Sequence, residues 1–259
     1  MRWWWLAIVL GGCNQLLGIE QTAPMPPPDG PPDMYLGPLD EDGDGYKDSD
    51  DNCPADVNPD QTLDGDGDGV GDACDPHPTT PGDRIVAAEM FNGPQYTWTP
   101  DSTTSWQIVK GSLQASPVTV GLLRRLTFAT TAAHPTLQMQ FHIDGYSRAS
   151  INSIDVAVTT PGSYMHTLMR GTSIGEDLFV AELMDGGAIH ASISFTPQGI
   201  PEGSTNAFEM TRDQDITYAT LDGRSGIASV QTSDPNLSAV IEVQDMQISI
   251  AYIVLYASP

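Results

Sequence analysis

Fourteen Asp and Glu residues lie between Asp40 and Asp75, against the single Lys47. Ten of the fourteen recur in two copies of one spacing. The first copy is Asp40-x-Asp42-x-Asp44-Gly45-x-x-Asp48-x-x-Asp51, and the second is Asp64-x-Asp66-x-Asp68-Gly69-x-x-Asp72-x-x-Asp75. Both put carboxylates at positions 1, 3, 5, 9 and 12 and a glycine at 6. Two like charges about 5 Å apart repel by roughly 0.8 kcal/mol in water and by more at lower dielectric. So dense a segment either stays extended or takes up a counterion. Calcium fits the spacing, because it is a hard cation that takes about six to eight oxygens at about 2.3–2.6 Å. In a loop wound around it, positions 1, 3 and 5 give side-chain oxygens and glycine allows the sharp turn. Position 7 gives a backbone carbonyl, here that of Tyr46 or Val70. Position 9 binds directly or through water, and position 12 closes the shell. Asp at 12 reaches less far than Glu. Magnesium fits less well, since it keeps several waters.

The residues after the first copy narrow the context. EF-hands and dockerins follow such a loop with an amphipathic helix, but here "NCPADVNPDQ" brings two prolines and no apolar stripe. The run "DSDDNCPADVNPDQ", followed by "DGDGDGVGDACD", resembles the thrombospondin type 3 repeat. The resemblance implies a repeat with almost no hydrophobic core, in which calcium ions take the core's place and disulfides link the turns. It implies calcium ligands at Asp40, Asp42, Asp44, Asp48 and Asp51, at Asp64, Asp66, Asp68, Asp72 and Asp75, and a Cys53–Cys74 bond. One departure stands out: Thr62 and Leu63 occupy a place where that family usually has one residue.

The flanking segments say where such a repeat would work. The chain opens "MRWWWLAIVLGGC", with Arg2 before an apolar run and small residues after it, the layout of a secretory signal. The run is too short for a bilayer, which takes about 20 apolar residues. The signal is short enough for the natural start codon to lie upstream. Leu10-Gly11-Gly12-Cys13 resembles the lipobox of bacterial lipoproteins, which implies cleavage before Cys13 and its acylation. Asn14, rather than Asp, leans toward the outer membrane. Of the three cysteines, lipidation takes Cys13. In the oxidising compartment that export implies, a disulfide between Cys53 and Cys74 is the default. The expected organisation is a signal over 1–12, a lipidated Pro-rich tether over 13–39, the acidic repeat over 40–76, a linker over 77–83 and a folded domain over 84–259. His77 in that linker reads as solvated. The formal net charge of -24 excludes nucleic acid as a partner, since phosphate binding needs clustered Lys and Arg.

From Arg84 onward, short runs rich in Val, Ile, Thr, Phe and Tyr alternate with Gly, Pro, Asp and Ser. The alternation predicts thirteen strands, from Trp106–Lys110 to Gln247–Tyr256, with hairpin turns at "KGS" and "LDGR". No long helical period is present. The fold class is mainly β, a two-sheet jelly-roll sandwich. The runs "WQIVKGSLQAS", "ITYATLDGRSG" and "GIASVQTSDPNLSAVIEVQDMQISIAYIVLYA" resemble concanavalin A-like (laminin G-like) domains. That resemblance implies either glycan binding or glycoside hydrolysis.

A retaining glycosidase needs two carboxylates about 5–5.5 Å apart. The laminarinase-type E-x-D-x-x-E strand is missing. Glu242 and Asp245 are three apart, on opposite faces of a strand, and Asp213 and Asp215 fall in a turn. No G-x-S-x-G, H-E-x-x-H or Walker loop occurs. His134, His142, His166 and His190 read as core or surface residues. Tyr96 and Trp98 are candidate sugar-stacking residues, whereas Trp106 reads as core. Arg124 and Arg125 read as an isolated basic pair. On sequence alone the preferred reading is a non-enzymatic cell-envelope lipoprotein, in which a calcium-stiffened stalk presents a sandwich that binds a glycan or surface protein. The alternative is a surface glycoside hydrolase or lyase with a divergent site, which a pair of carboxylates facing each other across the concave sheet would favour.

Overall fold

The computed structural model describes residues 40–92, 97–102, 105–115, 121, 123–130, 134–146, 153–160, 163–170, 179–185, 188–195, 201–213, 216–221, 224–229 and 237–259. The calls on 1–39, including Cys13, and on Tyr96 lie outside them. The described residues all belong to one compact unit.

The described residues form fifteen strands in two antiparallel sheets and no helix. The first sheet holds β1 (Arg84–Glu89), β3 (Trp106–Val109), β4 (Ser112–Ala115), β6 (His134–Tyr146), β11 (Thr205–Asp213), β12 (Ile216–Leu221), β13 (Arg224–Ser229) and β15 (Met246–Ser258). Its order is β13-β12-β11-β6-β15-β4-β3, with β1 also paired to β15. The second sheet holds β2 (Thr99–Pro100), β5 (Leu123–Thr130), β7 (Ser153–Thr160), β8 (Ser163–Arg170), β9 (Phe179–Asp185), β10 (Ala188–Phe195) and β14 (Leu237–Gln244). Its order is β10-β9-β8-β7-β14-β5-β2. The architecture is the jelly-roll sandwich that the strand pattern predicts. All thirteen predicted strands are present. The "KGS" hairpin turns at Lys110 and Gly111, both at positive φ (55° and 79°), as a tight two-residue turn requires. In the second hairpin, Leu221 pairs with Arg224.

Alternate residues of β5, β6, β7, β11 and β14 meet in the core. Leu137, Met139, Phe141 and Ile143 of β6 and Phe208 and Met210 of β11 face Leu126 of β5, Ile154 and Val156 of β7 and Ala239, Ile241 and Val243 of β14. Each such large side chain stabilises by roughly 1.5–3 kcal/mol on burial. Trp98 belongs to this core. It is buried and lies against Phe128, ring centroids 5.6 Å apart. Its candidacy as a sugar platform is therefore corrected: its ring fills the gap beside β2 and β5 and reaches no surface. Trp106 is buried as expected.

The last strand explains an oddity of the sequence. From Ile250 to Ala257, "IAYIVLYA" carries no charged or strongly polar residue and does not alternate. A bulge between Ile250 and Tyr252 switches which residues face inward, from Ile248 and Ile250 to Ile253 and Leu255. Val254 and Tyr256 then point to the outer face, where they are fully buried as well. The acidic repeat covers them. Cys53, Val70 and Cys74 form a second apolar cluster with Met90, Val254 and Tyr256. A strand apolar on both sides is one buried on both sides. The repeat is thus not a free-standing stalk. It has few apolar residues of its own: Cys53, Val70 and Cys74 are sealed by the outer face of β15, while Tyr46, Val57 and Leu63 stay exposed.

Candidate functional site

The two acidic loops fold alike. In the first, Asp40 Oδ1 accepts from Gly43 N at 2.9 Å and Asp40 Oδ2 from Gly45 N at 3.2 Å. In the second, Asp64 Oδ1 accepts from Gly67 N at 2.7 Å and Asp64 Oδ2 from Gly69 N at 3.0 Å. The glycines at position 6 have φ of 102° and 101°, and those at position 4 have 76° and 81°. Both places therefore demand glycine, of which spacing alone marks only position 6. Position 9 folds back onto the amide of position 2: Asp48 Oδ1 accepts from Glu41 N at 2.8 Å, and Asp72 Oδ1 from Gly65 N at 2.6 Å.

This winding brings positions 1, 3 and 5 together. One carboxylate oxygen each from Asp40, Asp42 and Asp44 lies within 4.8 Å of the others, and the same holds for Asp64, Asp66 and Asp68. Asp42 Oδ2 and both oxygens of Asp66 are shielded from solvent and accept from no protein donor. Buried carboxylate oxygens without donors are costly unless a cation answers them. The donor set, all hard oxygen, fits calcium. Burial, then repulsion from Asp44, Asp51 and Asp40, pushes the Asp42 carboxyl up to about 6, and burial pushes Asp75 up to about 7. A bound divalent cation would reverse both shifts.

Positions 9 and 12 are less uniform. Asp48, Asp51 and Asp72 do not join the close triads. Asp51 Oδ1 takes hydrogen bonds from Cys53 N at 2.8 Å and Gln61 Nε2 at 2.9 Å. Asp75 groups with Asp68 and with Asp83, a residue the template does not contain. Tyr46 is exposed, whereas the Val70 side chain packs beside the disulfide. Cys53 and Cys74 are joined, with Cα atoms 5.6 Å apart. Gly71 is needed beside them, since a Cβ there would meet Asn52 Oδ1 at 2.7 Å and Cys53 Sγ at 2.9 Å. The 77–83 stretch is pinned rather than loose: Gly82 N and Asp83 N donate to Asp68 Oδ2, and His77 Nδ1 lies 3.2 Å from Asp83 Oδ2. His77 is thus paired, not idle.

Where the repeat meets the first sheet, Asp56, Gln138, Glu209, Thr220 and Tyr252 line a pocket of about 170 Å³. Gln138 Nε2 donates to Glu209 Oε2 at 2.9 Å. Burial, and then Glu209, raises the Asp56 carboxyl; burial, and then Asp56, pushes the Tyr252 hydroxyl up to about 12.

The second sheet carries a different constellation on the face turned away from the core. Glu242 of β14 stands directly opposite Arg125 of β5 on one side and Asp155 of β7 on the other. Their strand neighbours Leu126, Ile241, Ile154 and Val156 are all in the core, which fixes these three on the outer face. The Arg125 guanidinium donates to Glu242 Oε1. Directly opposed residues have Cβ atoms about 4.5–5.5 Å apart. The same register sets His166 of β8 opposite Ala157, and Glu182 of β9 opposite His166. No local motif announces this group, because its members sit on separate strands. The basic pair is also resolved by the strand's alternation. Arg124 points inward, is fully buried and donates to Met246 O at 2.9 Å, while Arg125 points out. Asp245 takes up the turn before β15 at φ 53° and accepts from Gly121 N, so it is no partner for Glu242.

No protein-family model and no curated protein matches the chain. Solved structures do share its fold. A β-glucanase of Bacillus licheniformis aligns over 67% of this chain and 98% of its own, at TM-score 0.51 and 10% identity. The catalytic domain of an endo-1,3-β-glucanase (laminarinase) from Thermotoga petrophila RKU-1 aligns over 68% and 98%, at 0.51 and 12%. The CBM2 module of an evolved Dit from Lactobacillus casei BL23 phage J-1 aligns over 68% and 96%, also at 0.51 and 12%. At such identities the likeness is one of fold, the concanavalin A-like jelly roll. It nonetheless overturns the preference, left open by the sequence, for a non-enzymatic reading over a glycoside hydrolase. That preference leaned on the missing E-x-D-x-x-E strand. The sandwich has the fold of two glucanases, and carboxylates opposed on neighbouring strands need no single-strand motif.

Proposed function

We propose that this chain is an exported, lipid-anchored glycan-degrading protein. Its sandwich works on polysaccharide through the outer face of the second sheet, and its acidic repeat is a calcium-bound, thrombospondin type 3-like brace. The observation that carries the glycan reading is the opposition of Asp155 and Glu242 on one face of a jelly roll. Cβ atoms about 4.5–5.5 Å apart let two carboxyl groups reach the separation of about 5–5.5 Å that retaining glycoside hydrolysis uses. One carboxyl group attacks the anomeric carbon, and the other protonates the leaving oxygen and then activates water. Arg125 holds Glu242 in place. The glucanases that share the fold make β-linked glucans the first substrates to try.

Calcium would sit within Asp40, Asp42 and Asp44 and within Asp64, Asp66 and Asp68, neutralising charge that the repeat has no apolar core to offset. Acylated Cys13 and the Pro-rich stretch after it would hold the folded part off the outer membrane, since two or more acyl chains anchor stably.

The test is reducing-end release from a panel of β-glucans and β-galactans. Wild type should release sugar, and Asp155→Asn and Glu242→Gln should each lower kcat by about 10³-fold or more while the fold is kept. Absence of release from every glycan, or full activity in both variants, would sink the reading. Radiolabelled palmitate incorporation that disappears in Cys13→Ser checks the anchor.

A further inference from the structure

We propose that Asp83, which belongs to neither copy of the acidic template, is with Asp68 and Asp75 a ligand of a calcium ion at the second loop, and that this ion therefore fastens the repeat to the first strand of the sandwich. The proposal rests on the calcium reading above. It adds a ligand that the template does not supply, and a consequence.

Oxygens held by one calcium at about 2.4 Å lie no more than about 4.8 Å apart. Asp68, Asp75 and Asp83 each offer an oxygen that satisfies this limit toward the other two. The Asp83 side chain has no exposure to solvent. Asp75 Oδ2 is also sealed and accepts from no donor, while Asp75 Oδ1 takes the His77 amide at 2.7 Å. Asp68 belongs to both this triad and that of Asp64 and Asp66, whose two sealed oxygens likewise lack donors. Among the side-chain contacts of this group, His77 Nδ1 lies 3.2 Å from Asp83 Oδ2.

The backbone places Asp83 there deliberately. Gly82 N and Asp83 N both donate to Asp68 Oδ2, at 2.9 and 2.7 Å. Gly82 takes φ 130° and lies so close to Pro259 that a Cβ would meet it at 3.0 Å. Asp83 immediately precedes β1, which pairs with β15. The chain thus leaves the second loop, returns a carboxylate to it and enters the sheet with no slack. The first loop has no such return. Beyond the repeat, the hydrogen bond that reaches it comes from a neutral amide, Asn92 Nδ2 to Asp48 Oδ2 at 3.3 Å. The two loops are alike in sequence but unequal in attachment, and only at the second loop would an ion be shared with the segment that enters the sandwich.

Calcium titration calorimetry on the full-length chain in detergent tests this with wild type, Asp83→Asn, His77→Ala and Asp42→Asn. Wild type should take up at least two ions. Asp83→Asn should weaken one site tenfold or more and leave the other unchanged, whereas Asp42→Asn should weaken the other. His77→Ala keeps the Asp83 carboxylate and should titrate like wild type. Uptake by Asp83→Asn within twofold of wild type at every site overturns the role of Asp83 while the repeat remains a calcium module. No uptake by wild type overturns the calcium reading itself. Hydrogen exchange on wild type removes any dependence on how a variant folds. Calcium should slow exchange at Asp83 and across Arg84–Glu89 at least fivefold, and unchanged exchange there also overturns the proposal.

Discussion

The repeat and the sandwich are held together by opposite means. In the sandwich, apolar side chains from both sheets interlock: Leu126, Phe141, Ile154 and Ile241 have no exposed surface. In the repeat, carboxylates turn inward on loops wound at positive-φ glycines, and the apolar groups packed against the sandwich are a disulfide, Val70 and Ala55. The first arrangement is indifferent to ions and expels water. The second concentrates negative charge and calls for a cation. Their junction mixes the two, because the disulfide of the repeat is buried by Tyr256 and Val254 of the sandwich. A segment too polar to fold alone is completed by borrowing one face of a sheet.

The comparison breaks if either region responds to the other's perturbation. Phe141→Ala should be the largest effect, a loss of about 3–5 kcal/mol in denaturant unfolding. The loss should be the same with calcium or with chelator, and a chelator-dependent loss would mean the core is not independent of the repeat. Replacing both Cys53 and Cys74 by Ser opens a link with a sequence separation of 21 and should cost about 3 kcal/mol. Limited proteolysis should then cut within 53–74 first and leave the sandwich intact. Chelation should lower stability by about 2.7 kcal/mol per site where free calcium had stood a hundredfold above Kd, read as a fall in Tm in the wild type. A Tm unmoved by chelator would remove the ion from the account of the repeat.

The smallest effect concerns the junction. Burial raises the Asp56 carboxyl, so the folded state favours its protonated form. Its contribution is fully present below the ordinary carboxylate range and is lost as the pH rises through the raised value. Asp56→Asn should therefore stabilise at pH 7, by about 0.5 kcal/mol for a partly exposed group, and should be neutral at pH 3. Thermal melts at the two pH values check the sign.

What could be read from the sequence follows the distance over which each feature is encoded. The acidic loops are legible because their ligands lie within twelve residues and the chain must wind to use them. The thirteen predicted strands are legible because the alternation of buried and exposed residues is local. β1 and β2 escape notice for the same reason: "RIVAAE" does not alternate, and Thr99–Pro100 is too short to show a period. Sequence cannot say which face of a strand looks inward when both faces carry plausible residues. Hence Trp98 reads equally well as platform or core until the sheets are paired.

The sequence by itself determined the local chemistry, meaning carboxylates at alternate positions, glycines where φ is positive, two cysteines beside the acidic loops and an alternating β pattern. Tertiary structure alone decided which strands lie side by side. It therefore decided that Asp155 faces Glu242, that Asp83 returns to Asp68 and Asp75, and that the repeat closes over β15. The reason is physical. Spacing along one strand or loop fixes the direction of a side chain, whereas pairing between distant strands depends on the burial of the whole core and the register it imposes.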